Sequence, residues 1–394
     1  MVLLALAACG EDPRPSEPYQ PPLTIGVVLP ETGALGASNT PALTAVQLAE
    51  EDIRAAGGTV EFRYADSGSD PATAARAVDA LLEEGANAIL GAAASGVSQA
   101  FIETLYKRRI PQCAYSNTSP SFTTQQNAAY YFRTVTPDTA VVGLIGDTIL
   151  ARGAERVAIL ARDDDYGRSL ASLLATALGE RGADAETIIF DPLKQNFTRE
   201  VEAVERYAPD AVTIAAFEEG VELLRGLLAA GFQPSSLYGT DGLYLPDLPR
   251  AVGQDKPGVL DGMTLFVAGA PDSAAHAAFS ERLLRAGVDE SSPWAARAYD
   301  CAVILALAVR AAGSTDGVSV LAAAVSVTNG GTECASYEDC ARRIDAGEDI
   351  VYVGAAGPLR LDAAGDATVG IYTGSRYEDG ALAEQSTVTF DLDR

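Results

Sequence analysis

Histidine is nearly absent. His276 stands alone in 394 residues, which removes chemistry built on several imidazole ligands and leaves a Ser-His-Asp triad only if His276 itself serves. Its setting, PDSAAHAAF, reads as the exposed start of a helix, an ordinary place for a surface histidine. Positive charge is also scarce: 28 Lys and Arg face 54 Asp and Glu, a formal net charge of -26. Such a chain repels phosphate backbones and anionic headgroups, so nucleic acid is excluded as a partner. The acidic residues are spread along the whole length, as on a solvated surface. Even the run Asp163, Asp164 and Asp165 lacks the alternating ligand spacing of a calcium loop and reads as a solvated rim, so no metal site is expected. No Gly-rich phosphate fingerprint follows the first strand and no base stands ready to activate a serine; the expectation is a protein that is not an enzyme and carries no cofactor. No segment reaches the length of a membrane helix. Against these shortages, 48% hydrophobic and 21% charged residues describe an ordinary globular chain, long enough for two domains.

The first residues, MVLLALAACGEDPRPSEPYQPP, set a short apolar run before Leu6-Ala7-Ala8-Cys9 and a Pro-rich polar stretch after it. The order resembles the lipobox of a bacterial lipoprotein signal, in which the cysteine is lipidated and becomes the new N-terminus. Residues 1–22 then serve as signal and tether, with the lipid at Cys9 as the membrane anchor. In an exported chain disulfides are permitted. Cys334 and Cys340, in TECASYEDCARR, are close enough in sequence to shut a small loop. Cys113 falls on an expected strand and Cys301 in an expected helix, both apolar; buried free thiols are the default expectation, with a bond between the two as the alternative that nothing in the sequence indicates.

From Leu23 onward short runs rich in Val, Ile and Leu alternate with helical patterns. LTIGVVLP leads into a loop and then TPALTAVQLAEEDIRAAGG, whose apolar positions recur at helical spacing until Gly57-Gly58 ends them. VEFRYAD, a helix from about Pro71, NAILGAA, another helix and IPQCAYS continue the series. Strands that are short and almost wholly apolar, each returning through a helix, describe a doubly wound α/β lobe. After FRTVTPD the cycle restarts with RVAILARDDDYG, AETIIFDP, DAVTIAAFEEG and SLYGTDG, a second lobe of the same class. Ligands of open parallel sheets sit beyond the carboxyl ends of the strands, and small-molecule sites favour the interface between lobes. The loops that follow the strands are therefore the candidates: residues 31–39, 93–96 and 116–119 in the first lobe, 163–167, 217–219 and 239–242 in the second. The stretch CAYSNTSPSF offers four uncharged hydrogen-bonding groups, Ser116, Asn117, Thr118 and Ser119, where a strand runs out. A turn before Pro120 accounts for Ser119 and Asn117; Ser116 and Thr118 are better explained as ligand contacts.

Taken together, IGVVLPETG, ILGAAASG, IPQCAYSNTSP, YYFRTVTPD, DDDYG, LLAAGFQP, YGTDG, RAYDCAVILALA and DIVYVGAAGPLRLDAAGD, in this order and spacing, resemble the type I periplasmic binding proteins of the leucine/isoleucine/valine-binding branch. These are the solute receptors of branched-chain amino acid ABC transporters, and the likeness covers essentially the whole mature chain. It implies two Rossmann-like doubly wound α/β lobes joined by a three-segment hinge: residues 23–136 plus 268–366, and 137–267 plus 367–394. It implies a monomer that closes over an amino acid and delivers it to an ABC permease in the cytoplasmic membrane. Ser95 matches a serine that holds the ligand carboxylate, Ser116 a position of backbone contacts, and Thr118 a threonine that reaches both carboxylate and ammonium. Tyr166 matches a cleft tyrosine, Phe217 an aromatic position, and Asp241 an acidic residue that pairs with the ammonium. Elementary electrostatics agrees: neutral donors hold a carboxylate without burying a cation, and a carboxylate holds an ammonium. Many relatives carry Glu at Asp241 and a bulkier residue in the loop PETGALGASNTP, where small side chains are expected to leave the side-chain pocket open. The alternative reading is a binding or sensory protein of the same fold for a short amide, urea or an aromatic carboxylate.

Overall fold

A computed structural model describes residues 21–288 and 292–392. Cys9 and most of the expected tether lie outside the described residues.

Five strands, β1 (Leu23–Leu29), β2 (Val60–Asp66), β3 (Ala88–Gly91), β4 (Gln112–Ala114) and β5 (Tyr131–Arg133), form a parallel sheet in the order β2-β1-β3-β4-β5. The second sheet starts with β6 (Arg156–Arg162), β7 (Asp184–Phe190), β8 (Ala211–Ala215), β9 (Leu237–Gly239) and β10 (Thr264–Ala268). The chain next makes a small parallel pair, β11 (Thr332–Cys334) with β12 (Ile350–Tyr352), and returns to the second sheet as β13 (Val369–Glu378) and β14 (Ala381–Asp391). Its order is β14-β13-β10-β9-β8-β6-β7, parallel except for the antiparallel β13 and β14. The apolar composition of the central strands matches their burial: every residue of β8 is buried, whereas the edge strands β7 and β14 are largely half-buried or exposed. Both sheets are the doubly wound α/β class that the alternation of strands and helices implies.

Local chemistry sets the helix ends. The helix Pro71–Glu83 has Pro in its first turn, and the Thr73 N–H donates to the Asp70 carboxylate at 2.7 Å. The helix expected from Thr40 instead begins at Gly36 and carries Pro41 inside it. Proline lacks the N–H that would bond back one turn, which makes residue 41 look like a helix start in the sequence. The extra turn is held by side chains: Ser38 donates to the Leu35 carbonyl at 3.1 Å and Asn39 to the Pro30 carbonyl at 3.3 Å.

The chain passes between the sheets three times, after Arg133, after Ala268 and between Asp366 and Val369. The helix Ala295–Ala312, buried along nearly its whole length, returns to cover one face of the first sheet. One apolar core lies under that helix and another on the outer face of the second sheet. A third runs through both lobes, from Val28 and Val78 to Ile159 and Leu174. Among the described residues no single helix is long and apolar enough to cross a membrane.

Two expectations are corrected here. Cys113 and Cys301 are not free thiols: they are disulfide-bonded, with Cα atoms 5.9 Å apart and 188 residues between them in sequence. The apolar strand and the apolar helix that bury each thiol are packed on one another, so the two burial sites are the same place. Cys334 is bonded to Cys340, Cα to Cα 5.4 Å. His276 does lie in the first turn of a helix, Ala274–Arg285, but is half-buried rather than exposed, its Nδ1 2.9 Å from the Ala355 carbonyl oxygen. A cross-link over so long a loop restricts the unfolded chain severely. Replacing Cys301 with Ala is expected to lower the unfolding free energy by about 2–5 kcal/mol in urea titrations. Alkylation of the native protein before reduction is expected to leave Cys113 and Cys301 unlabelled.

Candidate functional site

The strand ends of both sheets meet at one cleft, and a cavity open to solvent, with about 480 Å³ of atom-free space including its mouth, lies within it. From the first lobe the loop after β3 brings Ala93, Ala94 and Ser95, and the loop after β4 brings Ser116. From the second lobe come Tyr166, Phe217 and Asp241. Five of the six residues singled out as ligand contacts thus line one cavity; Thr118 stands immediately behind it, buried.

The cluster in CAYSNTSPSF divides its work. Ser116 Oγ donates to the Ala93 carbonyl at 2.8 Å, and the Asn117 amide donates to the carbonyls of Ala92 and Ala93 at 2.9 and 3.0 Å. These two side chains brace the loop that carries Ser95. Ser95 Oγ accepts the Ser119 N–H at 3.3 Å, which leaves the Ser95 hydroxyl proton available to a ligand. Thr118 Oγ1 is buried with no protein partner.

The loop itself is held from beneath by Arg133, at the end of β5 and fully buried. Its Nε donates to Asp366 at 2.7 Å, and Nη1 donates to the carbonyls of Asn117 and Ser119 at 2.9 and 2.8 Å. Thr123 adds a 2.6 Å bond to the second Asp366 oxygen. The segment DAAGD, which reads as a plain turn, therefore also delivers the counterion of a buried guanidinium. The turn needs Gly365, whose φ is +85° and whose Cα lies so close to the Tyr131 carbonyl that a Cβ would come within 2.3 Å of that oxygen.

On the opposite wall the Tyr166 hydroxyl donates to Asp241 Oδ1 at 2.5 Å, with Thr240 Oγ1 2.7 Å from the same hydroxyl. Phe217 stacks on Tyr166, ring centroids 5.6 Å apart, and the Arg162 guanidinium covers the other face of Phe217 at 3.6 Å. Arg162 is itself paired with Asp164 and Glu219 at 2.6 and 2.7 Å. The aspartate run is more than a solvated rim. Asp164 caps the helix Asp165–Glu180 through the Gly167 N–H, and Asp165 reaches across the cleft to accept from Ser121 at 2.8 Å.

Several site residues carry no motif. Trp294, Tyr244, Leu35, Ser38 and Asn39 complete the cavity wall. Leu35 and Asn39 arrive on the extra helical turn that Pro41 hides, so this loop supplies wall where small side chains were expected to leave the pocket open. Asp138 is the most conspicuous omission. It sits on the first crossing segment, fully buried, its N–H donating to the Thr118 carbonyl at 2.8 Å. Thr118 leans toward it without completing a hydrogen bond, and neither Asp138 carboxylate oxygen has a protein partner. Burial, followed by the charge of Asp241, raises the Asp138 carboxyl well above the usual carboxylate range. Burial likewise pushes Asp241 up to about 6, against the downward pull of the Tyr166 hydroxyl and the Gly242 N–H. None of the cavity-lining residues is basic. Arg297, the other buried guanidinium near this end, donates to the backbone carbonyls of Pro293 and Gly269 at 2.7 and 3.0 Å. Two buried carboxyl groups without a fixed cation make an acidic pole, and such a pole holds an ammonium group. The neutral hydroxyl of Ser95 at the other end suits a carboxylate.

Two doubly wound lobes whose strand ends converge on a cleft cavity with one acidic pole define a bilobal solute-binding protein. Residues 22–332 match the family model described as "Periplasmic binding protein", and the chain belongs to that family, with the type I fold of its leucine/isoleucine/valine-binding members. The Leu/Ile/Val-binding protein homolog 3 of Brucella melitensis is 24% identical over 312 residues, covering 77% of this chain and 83% of that protein. The chemotactic signal transduction substrate-binding protein BasB of Halobacterium salinarum is 27% identical over 376 residues, covering 87% and 84%. Among solved structures, the leucine-binding protein LivK of Thermotoga maritima superposes with a TM-score of 0.79 at 22% identity, covering 94% of this chain and 99% of that one. The substrate-binding protein LivJ of Streptococcus pneumoniae, solved with isoleucine, gives 0.73 at 20% identity with 94% and 100% covered. A solute-binding protein of R. palustris, solved with benzoate, gives 0.73 at 18% with 93% and 96% covered.

The Arg133–Asp366 pair yields a test of how the site is held. Asp366→Ala strands a buried guanidinium and is expected to cost about 3–5 kcal/mol of stability. The double variant Arg133→Met/Asp366→Leu is expected to recover a large part of that loss while still weakening ligand binding, because the carbonyls of Asn117 and Ser119 lose their donor. Urea unfolding and calorimetric titration of the same variants separate the two effects.

Proposed function

We propose that this chain is the extracytoplasmic receptor of an ABC importer, binding an α-amino acid of branched-chain or similar type between its lobes and delivering it to a permease in the cytoplasmic membrane. The observation that carries this reading is the polarity of the cavity: Asp241 with buried Asp138 behind it at one end, the free hydroxyl of Ser95 at the other, and apolar and aromatic wall between them. A zwitterion fits that polarity in one orientation. Its ammonium meets the carboxyl groups, its carboxylate meets Ser95, the Thr118 hydroxyl reaches both, and the ligand's side chain faces Leu35, Tyr244 and Trp294. The lobes, residues 23–136 plus 268–366 and 137–267 plus 367–394, close by hinge motion about the three crossing segments, with the ligand selecting the closed form. The protein acts as a monomer held at the membrane by lipid on Cys9.

A thermal-shift screen against the twenty amino acids, short amides, urea and aromatic carboxylates tests the reading, because a ligand that binds only the folded state raises the melting temperature. The expected outcome is a shift with branched-chain type amino acids that disappears in Asp241→Ala. Ser95→Ala and Thr118→Ala are each expected to weaken binding by about 1–3 kcal/mol, the worth of a hydrogen bond to a charged group. Shifts produced solely by acids lacking an ammonium, or by amides, would overturn the amino acid assignment and favour the benzoate-type alternative.

A further inference from the structure

The charge count of the cleft does not balance for a neutral amino acid. One ammonium faces two buried carboxyl groups, and the ligand brings a carboxylate of its own. Among the described residues, several elements bring groups up to Asp138. Thr118 comes from the loop after β4, Asp241 from the loop after β9, Tyr166 from the helix Asp165–Glu180 and Tyr372 from β13. The charges of Arg133 and Asp165 also reach it. Of these, Arg133 alone is cationic, and its guanidinium is engaged by Asp366 and two backbone carbonyls. Asp241 accepts from Tyr166 and from the Gly242 N–H, so it is stabilised in its charged form by neighbours that Asp138 lacks. Asp138 is fully buried with neither carboxylate oxygen hydrogen-bonded, and Asp241 is buried within reach of its charge; two such carboxylates without a cationic partner do not both ionise readily.

Resting on the amino acid reading above, we propose that Asp138 and Asp241 act as one acidic unit that holds a single shared proton in the ligand-free cleft and releases it to solvent when an ammonium group enters. The step balances simply: one carboxylic acid becomes a carboxylate, its proton passes to buffer, and the ligand ammonium keeps all its N–H bonds. With the proton in place the ligand-free cleft carries one negative charge; after exchange the ammonium takes the place of the proton. Ligand capture is thereby coupled to pH, tightening as pH rises through the range in which the unit titrates and loosening in acid.

The same unit leaves a mark on stability without any ligand. Carboxyl groups whose folded-state pKa lies above the unfolded value, near 4, keep protons that the unfolded chain gives up. Their contribution is therefore favourable below about pH 4 and is lost as pH rises through the folded-state values, about 6 for Asp241 and well above the ordinary carboxylate range for Asp138.

Calorimetric titration with L-leucine and L-isoleucine at pH 7, in phosphate and in Tris, measures the protons released per ligand bound. The expected result is net proton release on binding, with affinity rising as pH rises through the titration range of the pair, and loss of both effects in Asp138→Asn. Tight binding with no proton release and no pH dependence between pH 5 and 8 overturns the proposal while leaving the amino acid reading intact. No heat with either amino acid counts against that reading instead, and melting curves of the ligand-free protein then decide the shared proton. From pH 5 to pH 8 the wild type is expected to lose melting temperature relative to Asp138→Asn, which needs no proton to stay neutral. Parallel curves for the two proteins overturn the proposal. Asp241→Asn gives the same comparison should Asp138→Asn fail to fold.

Discussion

The buried guanidinium of Arg133 is the constraint on which the rest of the site depends. It sits at the end of the last strand of the first sheet, grips the carbonyls of the ligand loop, and takes its counterion from the turn just before the third crossing. A guanidinium is planar and carries several donors in fixed directions, so one side chain sets three pieces of backbone relative to one another. Without Asp366 the charge would be stranded. Without the carbonyls its remaining N–H groups would go unsatisfied. Ser95 is placed at second hand, since Ser119 and Asn117 transmit the position of the loop to its neighbour after β3.

The charges of the cleft follow a rule that the overall acidity of the chain conceals. Each arginine near the cavity already has partners: Arg133 with Asp366, Arg162 with Asp164 and Glu219, Arg297 with backbone carbonyls. Asp138 and Asp241 are left without a cationic partner among the described residues. The cavity thus keeps an uncompensated acidic pole, which a ligand carrying an ammonium group would compensate. Burying such groups costs stability in the ligand-free state, and it makes the energy of ligand binding depend on the charge of the ligand rather than on the area it covers.

Much of this was legible in the sequence. Short apolar strands returning through helices identify the doubly wound architecture, the rule that ligands sit beyond the strand ends picks out the loops that supply most of the cavity wall, and the family resemblance picks out five residues within them. What escaped notice did so for particular physical reasons. Asp138, in TPD, has the look of a turn before a helix, because nothing local shows that a crossing segment will be buried. Trp294 and Tyr244 sit in irregular stretches without periodicity. Pro41 masked the first turn of its helix, so Asn39, inside the candidate loop 31–39, looks like loop rather than helix. Cys113 and Cys301 were each recognised as buried, yet pairing requires knowing that one helix, nearly two hundred residues on, covers that strand. Asp366, in DAAGD, has the look of part of a turn, which it is, but the buried arginine that gives it a second task lies more than two hundred residues earlier.

Trp294 is the only tryptophan in the chain, and it stands in the second crossing, packed against the cores on both sides and facing the cavity. An indole in that position senses ligand, hinge and interlobe contact at once, and no second indole dilutes its emission. The protein is consequently its own optical probe. Opening, closing and occupancy of the cleft should each be readable from the light of a single native side chain, with no label attached and no residue changed.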